Sequence, residues 1–268
     1  MGKLSYLTDR LIIKQPRIRA FVTRLLFGDK DQTVNLFGDD LLINALRENG
    51  YLRAAGKAQT SSLFRDEVGV LISLSVLLRP GDTFVDVGAN IGLYSCTMSR
   101  VNRLPGQAAV RFYAYEPHPD TFLRLKHNAE PCGVICRNFA VSDKEEELEF
   151  IDGAVSHVFT RIEEKSAYNI NQRRFRVKTI PLEAEMIEGD SIVLKIDVEG
   201  QEAAVLKGAR KWFEEQRVKA VYLDGFKNQT QIEDDLRAFG FDLLNGRSLR
   251  PFQRGDFSLL AINPKKMG

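Results

Sequence analysis

From Thr83 onward the chain alternates short apolar runs with stretches of helical periodicity, and that alternation restricts the fold to a mostly parallel sheet with helices on both faces. Runs at 83–87, 111–115, 134–139, 191–196, 218–223, 241–244 and 257–262 supply seven core strands. Helical patterns follow the glycine turn after Val87 as far as about Val101, and cover 119–129, 201–209 and 231–239. Two alternating runs at 147–151 and 175–180, joined by a polar loop, read as an inserted hairpin or lid.

Two segments follow from this pattern: an N-terminal helical and hairpin cap over 1–65 and the α/β domain over 66–268. Within the cap, runs at 34–37 and 41–45 flank a Gly38–Asp39 turn as a strand pair. Further towards the N-terminus, Lys3, Arg10, Lys14, Arg17, Arg19 and Arg24 are interleaved with leucine, isoleucine and phenylalanine at helical spacing. Pro16 and Asp9 interrupt the basic face, so the first reading is a solvated amphipathic helix packed on its own domain. The second is a peripheral contact with a membrane surface.

The 38 Lys and Arg residues against 36 Asp and Glu leave a net charge of +2, too near balance for a protein that coats nucleic acid. The longest charge-free apolar stretch, 68–78, is about half of what a bilayer-spanning helix needs, so no integral membrane segment is expected. Cys96, Cys132 and Cys136 lack the C-x-x-C spacing of a zinc site and read as reduced thiols of a cytoplasmic protein.

Chemistry concentrates at three strand ends. The first strand runs through Asp86 into Gly88, Ala89, Asn90, Ile91 and Gly92, a turn that brings backbone close to a ligand and aims helix N–H groups at it. Gly-x-Asn-x-Gly departs from the dinucleotide fingerprint, which needs a third glycine. An acid at position 86 would repel a diphosphate and welcome an ammonium group. Those two features favour S-adenosylmethionine over a nicotinamide cofactor.

At the end of the second strand, Glu116 stands 24 residues beyond Gly92, where a carboxylate accepts the hydroxyls of a ribose. The third strand end carries Lys195, Asp197 and Glu199, which alternation sends to one side. Unpaired burial of any of them would cost several kcal/mol, so they must pair or face the cleft.

GDTFVDVGANIGL over 81–93, Tyr115–Glu116–Pro117, Ala140–Val141–Ser142–Asp143 and LKIDVEG over 194–200, followed by Glu202 and VLKGA over 205–209, together resemble the FkbM-type methyltransferase family. The likeness spans roughly 81–209 with the motifs in order, and KIDVEG is its most specific part. It implies a class I, Rossmann-like, seven-stranded S-adenosylmethionine-dependent fold that moves a methyl group to a hydroxyl of a sugar, glycan, glycolipid or secondary metabolite. By position, Asp86, Gly88, Ala89 and Asn90 would line the methionine portion, Glu116 the ribose, and Asn138 with Ala140 the adenine edge. Asp197 would lie nearest the sulfonium, and Tyr94 would face the cofactor.

Asp197, Glu199 and His157 are the candidate bases for the acceptor proton, His157 because its ordinary pKa lies near operating pH. Asp197 and Glu199 offer two oxygen ligands without a third at matching spacing, so no metal is expected. Two other classes share the same strand–turn–helix: a nicotinamide-dependent oxidoreductase, and a non-catalytic binding protein with a vestigial pocket.

Overall fold

The computed structural model describes residues 16–57, 62–103, 105–151, 160–161, 174–198, 200–227 and 229–267. Its centre is a seven-stranded sheet, and we label strands and helices in chain order. Strands β3 (Thr83–Val87), β4 (Arg111–Tyr115), β5 (Val134–Arg137), β10 (Ile192–Ile196), β11 (Val218–Asp224), β12 (Asp242–Asn245) and β13 (Ser258–Ile262) lie in the order β12-β13-β11-β10-β3-β4-β5. All neighbouring pairs are parallel except those of β13, which runs antiparallel to β11 and β12. All seven expected core strands are present, with ends moved by a few residues.

Strand alternation divides the sheet's side chains between two apolar layers. Phe84, Phe112, Ala114 and Val193 enter one layer, while Val85, Tyr113, Leu194 and Val221 enter the other. Helices α4 (Leu93–Val101) and α5 (Pro119–Ala129) cover the first layer through Tyr94, Met98 and Leu125. Helices α6 (Glu202–Gly208), α7 (Arg210–Glu214) and α8 (Gln229–Ala238) cover the second through Val205, Trp212, Phe213 and Leu236. The expected 201–209 helix thus ends one residue early, and α7 was not foreseen. At Gly208 a Cβ would lie 1.9 Å from the Ser142 carbonyl oxygen, so only glycine lets α6 pass that loop.

The N-terminal segment does more than cap the sheet. Helix α1 (Pro16–Phe27) is followed by the hairpin β1 (Asp31–Leu36) and β2 (Asp39–Asn44), turned by Phe37 and Gly38 at positive φ. Val34, Leu36, Leu41 and Ile43 join the same buried layer as Phe84 and Phe112. Asn128 of α5 fixes the hairpin by accepting from Leu42 N at 2.8 Å and donating to Leu42 O at 3.0 Å. Helices α2 (Asn49–Lys57) and α3 (Ser62–Leu77) then lead into β3, and α3 runs continuously through positions 65 and 66. Helix α1 differs from a helix packed on its own domain: Phe21, Leu25 and Leu26 are exposed beside Arg24. Residues 1–15 lie outside the described ones.

The inserted hairpin is β7 (Glu146–Ile151) and β9 (Arg174–Ile180), antiparallel from Glu146–Thr179 to Ile151–Arg174. Short strands β6 (Ala140–Val141) and β8 (Thr160–Arg161) complete this second sheet. Among the described residues no helix is long and apolar enough to cross a membrane.

Candidate active site

Because β3 pairs with β4 on one side and β10 on the other, chain direction across the sheet reverses beside it, and the crevice opens at the carboxyl ends of these strands. A cleft lies there. Of the residues singled out in the sequence, Gly88, Ala89, Asn90, Tyr94, Glu116, Ala140 and Asp197 all line it.

Its floor is the turn after β3. Gly88, Asn90 and Gly92 all have positive φ, at 77°, 52° and 91°, and Gly88 N and Ala89 N both donate to Tyr115 O, at 3.0 and 2.9 Å. Glycine at 88 has a second reason beside the expected one: a Cβ there would sit 2.0 Å from the Asp197 carbonyl oxygen. The glycine lets the backbones just past β3 and β10 stay close, where Asp197 N donates to Val87 O at 3.0 Å. Gly92 takes the packing duty of the missing third glycine, since its Cβ would meet Leu125 Cδ1 at 2.9 Å.

Glu116 is 4% exposed and braces that turn. One carboxylate oxygen accepts from Asn90 N at 3.0 Å and the other from His118 N at 2.9 Å. The acid therefore cannot move without moving the glycine turn. Asn138 is not among the lining residues; it donates to Glu116 O at 2.8 Å and Pro117 O at 3.1 Å, so it holds the Glu116 segment.

Asp86 also departs from expectation. It is 0% exposed and lies beneath the lining, where Lys195 Nζ sits 3.0 Å from one oxygen and Ser95 Oγ donates to the other at 2.8 Å. Asp86 and Lys195 are register partners on adjacent parallel strands, so their side chains leave the same face at the same depth. The acid is neutralised internally and is not the group that attracts a cation into the cleft. Lys195 reaches the lining, 3.8 Å from the Asp197 carboxylate and 4.9 Å from the centre of the Tyr94 ring. Burial alone would lower the Lys195 pKa, but the charges of Asp86 and Asp197 outweigh it and raise the value.

Tyr51 of α2 and Glu67 of α3 complete the wall, and neither was singled out in the sequence. The Tyr94 hydroxyl donates to Glu67 Oε2. Burial pushes the Glu67 carboxyl up while the Tyr94 hydrogen bond pulls it down, with a net rise. Burial, then the Glu67 charge, pushes Tyr94 well above the usual phenol range, so its hydroxyl stays a donor. A short polar pair at the start of an apolar helix carries little sequence signal for such a placement. Glu199 and His157 lie outside the described residues, and among those described no three His, Cys, Asp or Glu side chains gather as a metal site.

Among the described residues the lining thus carries Glu67, Glu116 and Asp197 against a single lysine, Lys195. Asn90 Oδ1 is buried there with no hydrogen-bond partner among the described residues. An acidic cleft with an orphaned acceptor suits a cationic nucleoside that carries an ammonium donor and no phosphates.

A family model described as the methyltransferase FkbM domain matches residues 86–243, more than half of the chain. The chain belongs to the FkbM methyltransferase family. As an FkbM methyltransferase it uses S-adenosylmethionine, and the site fits that methyl donor on the grounds just given; nicotinamide-dependent oxidation is set aside. A curated relative, the hexuronic acid methyltransferase AglP of Haloferax volcanii, is 30% identical over 151 residues. That match covers 54% of this chain and 56% of AglP, so the FkbM chain spans little more than half of this relative.

Solved structures similar to this FkbM chain include a TehB-like methyltransferase from Corynebacterium glutamicum, with 11% identity, 80% and 97% coverage of the two chains and a TM-score of 0.43. Another is the Pyrococcus abyssi tRNA (uracil-54, C5)-methyltransferase with bound S-adenosyl-L-homocysteine, with 11% identity, 88% and 44% coverage and a TM-score of 0.43.

Proposed function

We propose that this FkbM methyltransferase transfers a methyl group to a hydroxyl of a sugar, in a glycan, glycolipid or secondary metabolite. The observation that carries the reading is the composition of the cleft wall beyond Glu116, where Tyr51, Glu67, Tyr94 and Asp197 offer hydrogen-bonding groups that suit a hydroxyl-rich acceptor. Similarity to a hexuronic acid methyltransferase supports the sugar class.

In this reading Ala140 meets the adenine edge, Glu116 the ribose hydroxyls, and Gly88, Ala89 and Asn90 the methionine portion of the donor. Asp197, held beside Lys195, supplies negative charge next to the sulfonium. The donor provides an electrophilic methyl group; the chain's contribution is to hold the acceptor oxygen in line with it and to exclude water. The exposed Phe21, Leu25 and Leu26 of α1, beside Arg24, support a peripheral membrane contact that would bring a lipid-linked acceptor to the cleft.

The test is transfer of labelled methyl from S-adenosylmethionine to uronic acids, their oligosaccharides and neutral sugars, with the product position read by NMR. A methyl ether on a sugar carbon is expected; a methyl ester alone, or no sugar product, overturns the reading. Glu116→Ala is expected to weaken S-adenosylhomocysteine binding by about tenfold or more, because two charge-assisted hydrogen bonds are lost. Isothermal titration checks it, and unchanged affinity would remove Glu116 from the ribose.

A further inference from the structure

We propose that Glu67, delivered into the cleft by α3, is the base that takes the proton of the acceptor hydroxyl, with the Tyr94 hydroxyl holding its carboxylate in place. The proposal rests on the hydroxyl-transfer reading above and assigns the proton to a residue outside the motifs of the sheet domain.

The placement comes from the order of groups along the cleft. Glu116 lies at the end of β4, the glycine turn at the end of β3, Asp197 just past β10, and Asp224 at the end of β11. In S-adenosylmethionine the ribose separates adenine from the sulfonium, so with Glu116 at the ribose the reacting end points away from β4 towards β10. Glu67 lies at that end: its partner Tyr94 has Lys195 Nζ 4.9 Å from the ring centre, Lys195 Nζ is 3.8 Å from the Asp197 carboxylate, and all four residues line the cleft. Tyr94 faces it from α4, and Tyr51 from α2 feels its charge. Arg247 lies 3.5 Å from Asp66 and 3.8 Å from Asp224, so both of those acids have a cationic partner.

The chemistry suits the position. A sugar hydroxyl is a weak acid, and its proton must leave as the new bond forms. The O–H bond breaks with its proton passing to a Glu67 oxygen. The oxygen's electron pair forms the bond to the methyl carbon, and the pair of the broken carbon–sulfur bond stays on sulfur as a neutral thioether. A carboxyl raised by burial is a better proton acceptor near neutral pH than an exposed glutamate, and the Tyr94 hydroxyl keeps it oriented.

Activity should therefore fall on the acid side as Glu67 is protonated, with a limb above the ordinary glutamate value of about 4.3. Tyr94→Phe removes the hydrogen bond that lowers the Glu67 pKa, so it should move that limb to higher pH. Glu67→Gln keeps an acceptor for Tyr94 and should lower kcat by about 100-fold or more and flatten the limb. Its affinity for S-adenosylhomocysteine should stay within about twofold of wild type, since this assignment puts Glu67 on the acceptor side and the product carries no sulfonium charge.

An acceptor-independent readout accompanies these. The carboxyl stretch in infrared difference spectra of the wild type with S-adenosylhomocysteine, assigned by its loss in Glu67→Gln, should titrate above the ordinary glutamate value and be ionised at the pH of maximal activity. Three results overturn the assignment and leave hydroxyl transfer standing: Glu67→Gln keeping kcat within about threefold, its S-adenosylhomocysteine affinity falling in step with kcat, or a Glu67 carboxyl that stays protonated at the pH of maximal activity. A wild-type enzyme that makes only methyl esters, or no methylated sugar, overturns the hydroxyl reading and this assignment with it.

Discussion

Lys195→Met is expected to destabilise the fold by about 3–5 kcal/mol, measured by urea unfolding, because it leaves the Asp86 carboxylate buried without its ammonium partner. Asp86 is 0% exposed, and its second carboxylate oxygen accepts from Ser95 Oγ at 2.8 Å. Replacing both partners, as Lys195→Met with Asp86→Leu, should recover most of the loss, since two apolar side chains of similar size need no solvation. A single variant that loses less than about 1 kcal/mol, or a double variant no better than the single, would show that the pair is not what stabilises this contact.

The pH dependence of the pair has a definite sign. The Lys195 pKa is higher folded than unfolded, so its contribution is fully present below the unfolded value of about 10.4 and is lost as pH rises through the higher folded one. The same substitution should weaken S-adenosylhomocysteine binding, because Lys195 also steadies Asp197 at 3.8 Å and donates to Gly88 O at 3.3 Å.

That ion pair shows both the reach of sequence reasoning and its limit. The apolar runs around Asp86 and Lys195 read as buried parallel strands, and both strands are present. A lone acid and a lone base, each one residue before the end of its strand, were a legible signal for a cross-strand pair. Read separately, Asp86 looked like a ligand contact. The 2.0 Å approach that makes Gly88 necessary depends on how closely the backbones just past β3 and β10 run, which no local pattern records.

Glu116 was legible because it ends an apolar strand and is followed by two prolines that fix its turn. Glu67 was not, because an acid in the first half of a helix ordinarily faces water, and only the docking of α3 against α4 turns it inward. Helix α7 was missed because five residues carry no measurable periodicity, and Trp212 and Phe213 reveal their role only against Phe239, Phe241 and the sheet.

Gly88→Ala is expected to cost about 3 kcal/mol or more in urea unfolding and to weaken S-adenosylhomocysteine binding by about 100-fold or more. Two penalties combine. The residue sits at φ 77°, and its Cβ would lie 2.0 Å from the Asp197 carbonyl oxygen and 2.9 Å from the carbonyl carbon. Neither backbone can retreat cheaply, because Asp197 N donates to Val87 O at 3.0 Å and Gly88 N to Tyr115 O at 3.0 Å. Relief requires β3 and β10 to separate at their carboxyl ends, which pulls Asp86 from Lys195 and shifts Ala89 and Asn90 out of the cleft. Gly69→Ala is the matched control: it lies within α3, and its Cβ would meet only Arg247 O, at 3.8 Å. It should stabilise the chain by about 0.5–1 kcal/mol through helix propensity. If the two substitutions have similar effects, the close approach of β3 and β10 does not govern the cleft; if they diverge as expected, the same contact that holds the sheet together also shapes the donor site.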